Sequence, residues 1–174
     1  MRESNKIFSQ VANDNNPASQ NVRDVAKDDF EWEVPVELVP IPSEGKVYGS
    51  ESGLFGITGL EIKAMTAREE DILTSRALIK KGTVVNELVK ACVINKNIDV
   101  NNLLVGDRDS LMVSVRITGY GTQYNATVTC PDCGTLHKDH GFDLANLEIK
   151  RLGAPPIQEG LNLFEYTLPI SKKV

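Results

Sequence analysis

The run Cys130-Pro131-Asp132-Cys133-Gly134 carries the strongest chemical signal in the chain. Two thiolates on a tight turn can converge on one tetrahedral metal while the glycine relieves the bend, so the run reads as half of a zinc site. His137 and His140, the chain's two histidines, follow directly, and C-x2-C-x3-H-x2-H offers four ligands within eleven residues. Borderline-soft zinc accepts that mixture of nitrogen and sulfur. Two features oppose a complete site. A regular strand over Leu136 to Leu144 would turn the two imidazoles to opposite faces, and the three residues after Cys133 carry His137 away from the turn. Three readings stay open: one structural zinc on Cys130, Cys133, His137 and His140; a metal whose other ligands come from another chain; and a tight hairpin tip with no cofactor.

Other chemistries find less support. A redox C-P-x-C pair needs its first thiolate at a helix N-terminus, whereas Thr135-Leu136-His137-Lys138 reads as extended chain. No serine sits in a G-x-S-x-G elbow, and both histidines fall on one short hairpin, which leaves hydrolase chemistry without a scaffold. The glycines at 49, 53, 56 and 59 match no phosphate-binding loop, and the aspartates match no calcium loop. The chain is expected to have no catalytic residues.

The elements that would hold the cysteine turn follow from local pattern. Tyr124, Ala126, Val128 and Cys130 alternate with polar residues, and a second alternating run spans Leu136 to Leu144, so residues 122–144 read as a β-hairpin tipped by the C-P-x-C-G knuckle. Upstream, Phe30, Trp32, Val34, Val36 and Leu38 alternate with charged residues and Pro35. Proline cannot donate to a ladder, which predicts an edge strand. A short strand is expected near Leu60 to Met65. Thr66-Ala67-Arg68-Glu69 has capping-box spacing, and Glu69, Glu70 and Asp71 at the start with Lys80, Lys81 and Gly82 at the end predict one helix between them. Val85, Leu88, Val89 and Cys92 form the stripe of a second helix, with Cys92 in the core. Leu103 to Thr118 is ambiguous, its alternation leaning to strand while Asp107 offers a helix cap. Phe164, Tyr166, Leu168 and Ile170 alternate as a last strand over residues 161–170, after a Gly/Pro-rich linker; the sequence then stops at Lys172-Lys173-Val174 with no closing element, which points to a truncated domain.

Composition bounds the partners. With 174 residues, 41% of them hydrophobic, the chain can bury one core, so the expectation is a single small α+β domain over residues 30–174 with central helices. Residues 1–29 are polar and turn-rich and read as a flexible, disordered N-terminal arm. A formal charge of -5 disfavours nucleic acid and anionic membrane as partners. Three cysteines do not make a disulfide framework. No apolar run is long enough to span a bilayer and no signal-peptide core opens the chain, so folding in a cytoplasm is expected.

Six short stretches together resemble the baseplate hub subunit family of T-even-type contractile-tailed bacteriophages. They are Pro42-Ser43-x-Gly45-x-x-Tyr48; Met65-Thr66-Ala67-x-Glu69-Glu70-Asp71-Ile72-Leu73-Thr74; Lys80-Lys81-Gly82; Leu103-Leu104-Val105-Gly106-Asp107-Arg108; Arg116-Ile117-x-x-Tyr120-Gly121; and Cys130-Pro131-x-Cys133-Gly134. The resemblance implies a small central hub protein, late-expressed, assembled in the host cytoplasm into the virion tail baseplate, docking among hub, wedge and tail proteins or as a homo-oligomer and helping to start assembly. It also implies a helix over Asp107 to Thr118 and no catalysis. The arm and the edge strand, with Trp32, Val34, Val36 and Leu38 at its face, are the expected partner surfaces, the strand by β-augmentation. Arg108, Arg116, Tyr120 and the second helix's stripe are open to either reading, subunit contact or core. The competing functions are a zinc-knuckle binding module and a transient, non-virion assembly chaperone.

Overall fold

Val34 and Val36 point inward between solvent-facing Glu33, Pro35 and Glu37, and this alternation makes the strand around which the rest is built. The computed structural model describes residues 25–27 and 33–172. Strands β1 (Val25–Lys27), β2 (Glu33–Pro40) and β3 (Gly59–Lys63) form one antiparallel sheet in the order β1-β2-β3. Helices α1 (Ala67–Thr74), α2 (Arg76–Lys81), α3 (Val84–Cys92) and α4 (Val105–Tyr120) follow, and then a separate hairpin of β4 (Gln123–Thr129) and β5 (Leu136–Asp143). The α+β class, the central helices and the hairpin are as the sequence predicts.

β2 is the middle strand, not an edge. Val36 to Pro40 pair with Lys63 to Gly59, while Glu33 to Pro35 pair with Lys27 to Val25, inside the stretch expected to be an arm. Residues 1–24 lie outside the described residues. Pro35 acts as a terminator instead: its carbonyl accepts from the Ala64 amide (3.0 Å), it has no N–H to return, and the β2–β3 ladder ends beside it. The far edge of β3 is met by the turn after α3, where Ile62 bridges Val93 and the Ile94 amide donates to the Glu61 carbonyl (3.0 Å).

The single helix expected from Thr66 to Lys81 is two. Ser75, with ψ 106°, is extended and starts α2 as its N-cap residue. The Thr74 hydroxyl bonds back to the Asp71 carbonyl (3.2 Å), the competition by which Ser and Thr loosen a helix end. Both outer ends hold. Glu69 bonds back to Thr66 at the start, and at the finish Gly82 (φ 71°) and Thr83 donate to the Ile79 and Leu78 carbonyls.

Residues 105–120 are helical despite their strand-like alternation, as the resemblance implies. α4 buries Asp107, Leu111, Ser114, Val115 and Ile117, and the first four keep a helical spacing hidden because two of them are polar. Asp107 does not cap the helix: Leu104 holds that position, and Asp107 lies in the first turn with its side chain buried. α4 packs on the sheet and on α3, and Val39, Ile62, Val89, Cys92, Leu111 and Val115 close the core between them. Each large aliphatic side chain buried there contributes about 1.5–3 kcal/mol relative to exposure. Cys92 is core as expected, and burial pushes its thiol up to about 11.

The strand expected over 161–170 does not form. Its alternation is real, but among the described residues no strand pairs with it, and an unpaired strand has nowhere to place its backbone hydrogen bonds except water.

Candidate functional site

Cys130 and Cys133 lie on the turn joining β4 to β5. The Cys130 amide donates to the Thr135 carbonyl (2.9 Å) and the Gly134 amide to the Cys130 carbonyl (3.0 Å); Gly134, at φ 70°, supplies the left-handed residue that lets the chain reverse. Cys133 Sγ and Thr135 Oγ1 are 3.1 Å apart, the thiol donating when neutral and the hydroxyl when it is a thiolate. The Thr135 hydroxyl and amide, followed by the Cys130 side chain, bring the Cys133 thiol down to about 7, so the turn favours a thiolate in full contact with solvent.

The histidines are not where a regular strand would put them. His137 faces Val128 and His140 faces Ala126, so Lys138 and Asp139 together oppose Thr127 alone. This is a β-bulge, and Asp139 takes the left-handed conformation (φ 54°) that accommodates it. Ala126 and Val128 are two apart on one strand and share a face, so their partners His137 and His140 share it too. The opposite-face expectation fails for that reason. Sharing a face does not make a site: among the described residues no group of three or more His, Cys, Asp or Glu is placed to hold a metal. His140 instead meets Phe142 edge to face (centroids 4.8 Å), with Tyr124 across from Phe142, and the hairpin presents an exposed aromatic face. Asp132, Asp139 and Asp143 outnumber Lys138 from tip to root, an unsuitable lining for phosphate.

The hairpin is fixed at its root by residues from the Arg116-Ile117-x-x-Tyr120-Gly121 stretch. The Arg116 guanidinium donates to the Gly121 carbonyl (3.1 Å) and the Gln123 carbonyl (3.3 Å) and lies 4.8 Å from the Tyr120 ring centroid, while the Tyr120 hydroxyl donates to Glu70 (3.1 Å). These contacts tie α4, α1 and β4 together.

Two more of the six stretches converge in the interior. The Asp107 carboxylate accepts from the Ser43 amide (2.9 Å), the Ser43 hydroxyl (2.5 Å) and the Tyr48 hydroxyl (2.5 Å), and Tyr48 in turn accepts from the Leu104 amide (2.8 Å). A charge buried this deeply is tolerable only because its oxygens are so fully occupied. The cluster pins the 41–48 loop to the start of α4. Burial and then the bond to Asp107 raise the Tyr48 pKa above its ordinary value, so the phenol stays a donor. The buried Glu69 carboxylate is held by Lys63 Nζ (2.9 Å), the Thr66 amide (3.0 Å) and the Thr66 hydroxyl. Burial alone would raise its pKa, but these bonds outweigh it and keep it below the ordinary range.

Of the expected partner residues, Val34 and Val36 are buried, Leu38 is half-buried, and Trp32 lies outside the described residues. A run of exposed apolar residues lies instead in a segment read as a strand. Leu152 packs against the core and Gly160 donates to the Lys46 carbonyl (2.9 Å), anchoring the chain along the 42–49 loop. Beyond that anchor Leu161, Leu163, Phe164, Tyr166, Leu168 and Ile170 are all exposed, Tyr166 to 70% and Ile170 to 96%. The alternation was the available signal for these residues; it marked apolar side chains without saying what would cover them.

Two of the clefts among the described residues have volumes of about 440 Å³ each. The first gathers Lys27, Lys63, Arg68, Lys90 and Lys96, but Lys63 is paired with Glu69 and Lys96 Nζ donates to the Lys90, Ala91 and Val93 carbonyls at 2.9, 3.2 and 2.6 Å. These two cations are already committed to the fold. The second lies between α4 and residues 144–150 and is mostly apolar, with Val113, Leu147 and Ile149 among its walls. Neither cleft contains a described cysteine or histidine. No helix among the described residues is long and apolar enough to cross a membrane.

A family model described as T4 bacteriophage base plate protein matches residues 37–162. That span runs from β2 through the hairpin to the Gly160 anchor and stops before most of the exposed apolar run. Searches of curated proteins and of solved structures returned no match.

Proposed function

The chain belongs to the T4 bacteriophage base plate protein family, and on that premise we propose that this phage baseplate protein is a central hub or tip subunit, docking between other tail proteins and helping to nucleate assembly. Binding is its activity, with no turnover of its own. The exposed run from Leu161 to Ile170 is the observation that carries this reading. Six exposed large apolar side chains within ten residues are costly on a free monomer and are the usual mark of a surface buried in an assembly. It follows a fixed anchor at Gly160, so a neighbouring subunit can cover it without disturbing the buried core, and the segment can add to that neighbour as an extended strand. The aromatic face of the hairpin offers a second contact.

The test is mass analysis of purified infectious particles together with a phage carrying Leu168→Asp and Ile170→Asp. A small fixed copy number beside tail proteins in the wild type, and a folded variant left out of particles, is the expected result. Absence of the wild-type chain from particles would refute the hub reading and leave a transient assembly chaperone. Normal incorporation of the variant would remove the apolar run from the argument.

A further inference from the structure

We propose that Cys130 and Cys133 form half of a tetrahedral zinc site that a second copy of this chain completes, so that two hairpin tips are joined through one metal held by four thiolates. Two thiols lie on one closed turn at the exposed end of the hairpin, and the hydrogen bonds of Cys130, Gly134 and Thr135 fix the turn before any metal arrives. The Thr135 hydroxyl lies 3.1 Å from the Cys133 sulfur, placed to donate to it once it is a metal-bound thiolate. A structural zinc site takes four protein ligands, and the turn supplies two. Among the described residues no third His, Cys, Asp or Glu joins them, although the bulge sets both histidines on one face.

In the proposed site the remaining donors come from a second copy of the chain. A two-fold axis through the metal supplies them with no further residue, because two identical pairs of sulfurs make a closed set and the contact is isologous. Solvent exposure of the tip leaves room for the second hairpin. Binding releases the thiol protons to solvent and leaves the sulfurs at their thiolate oxidation level, so no redox partner is needed. This inference does not depend on the hub reading.

The test uses the full chain, reduced and kept under a phosphine reductant, titrated with zinc alone and followed by native mass spectrometry and by cobalt substitution. The expected result is about one metal per two chains, a dimer that forms with zinc and dissolves with a chelator, and a cobalt spectrum of tetrahedral all-sulfur coordination. Cys133→Ser should abolish the metal and the dimer together, with circular dichroism unchanged because the residue sits on an exposed turn. His137→Gln and His140→Gln should leave both intact. One metal per monomer, loss of binding in either histidine variant, a dimer indifferent to chelator, or no retained zinc would each overturn the proposal.

Discussion

Replacing Asp107 with alanine tests whether the buried carboxylate organises the fold. The change leaves the Ser43 amide, the Ser43 hydroxyl and the Tyr48 hydroxyl without their acceptor in a site closed to water. Hydrogen bonds to a charged group are worth about 1.5–3 kcal/mol each. They share one carboxylate and do not add, and removing the charge also relieves its own desolvation, so the expected loss is about 3–5 kcal/mol, the scale seen when one member of a buried charged network is deleted. With a urea slope near 2 kcal/mol/M, the midpoint should fall by about 1.5–2.5 M with the slope unchanged. Tyr48→Phe should cost about 1.5–3 kcal/mol because it removes one donor and orphans the Leu104 amide. The double variant should cost less than the sum, since the residues share a bond. Asp109→Ala is the control: its side chain is half exposed, and a shift within about 0.5 kcal/mol is expected. A loss below about 1 kcal/mol for Asp107→Ala, or strict additivity with Tyr48→Phe, would refute the claim that this cluster holds the 41–48 loop to α4.

Glu69→Gln should destabilise by about 1–3 kcal/mol at neutral pH. Because the folded carboxyl is held below its ordinary value, its contribution is full above about pH 4.3 and is lost as pH falls through the folded pKa, so the gap between wild type and variant in parallel melts should close in acid. Alkylation at pH 7 in the absence of metal should label Cys133, whose thiol titrates at about 7, and spare Cys92, which is buried with its thiol at about 11; peptide mapping reads the difference. Gly45→Ala should cost about 3 kcal/mol or more by thermal melt. Gly45 sits at φ 71°, and a Cβ there would lie 2.5 Å from both the Ile57 nitrogen and the Leu54 carbonyl oxygen, so backbone strain and overpacking combine.

The amino-acid sequence by itself determined what is decided within one element. The capping box at Thr66 and Glu69, the Gly82 stop, the Val85-Leu88-Val89-Cys92 stripe and the hairpin around Cys130 and Cys133 were all legible, because each depends on spacing along a few residues. The six stretches also carried the resemblance to the baseplate family, four of them through side chains that pair 50 or more residues apart, Tyr48 with Asp107 and Tyr120 with Glu70. Tertiary structure alone decided the rest. β2 became central because β1 and β3 claimed its two sides, which the lone proline could not reveal. α4 hid its period because its buried seam includes an aspartate and a serine, acceptable inside only because Ser43 and Tyr48 come from 59 or more residues away to satisfy Asp107. The histidines share a face because of one bulge, and the last alternating run stays exposed because nothing described pairs with it. A pattern records which side chains avoid water; which surface takes them in is settled by partners distant in the chain.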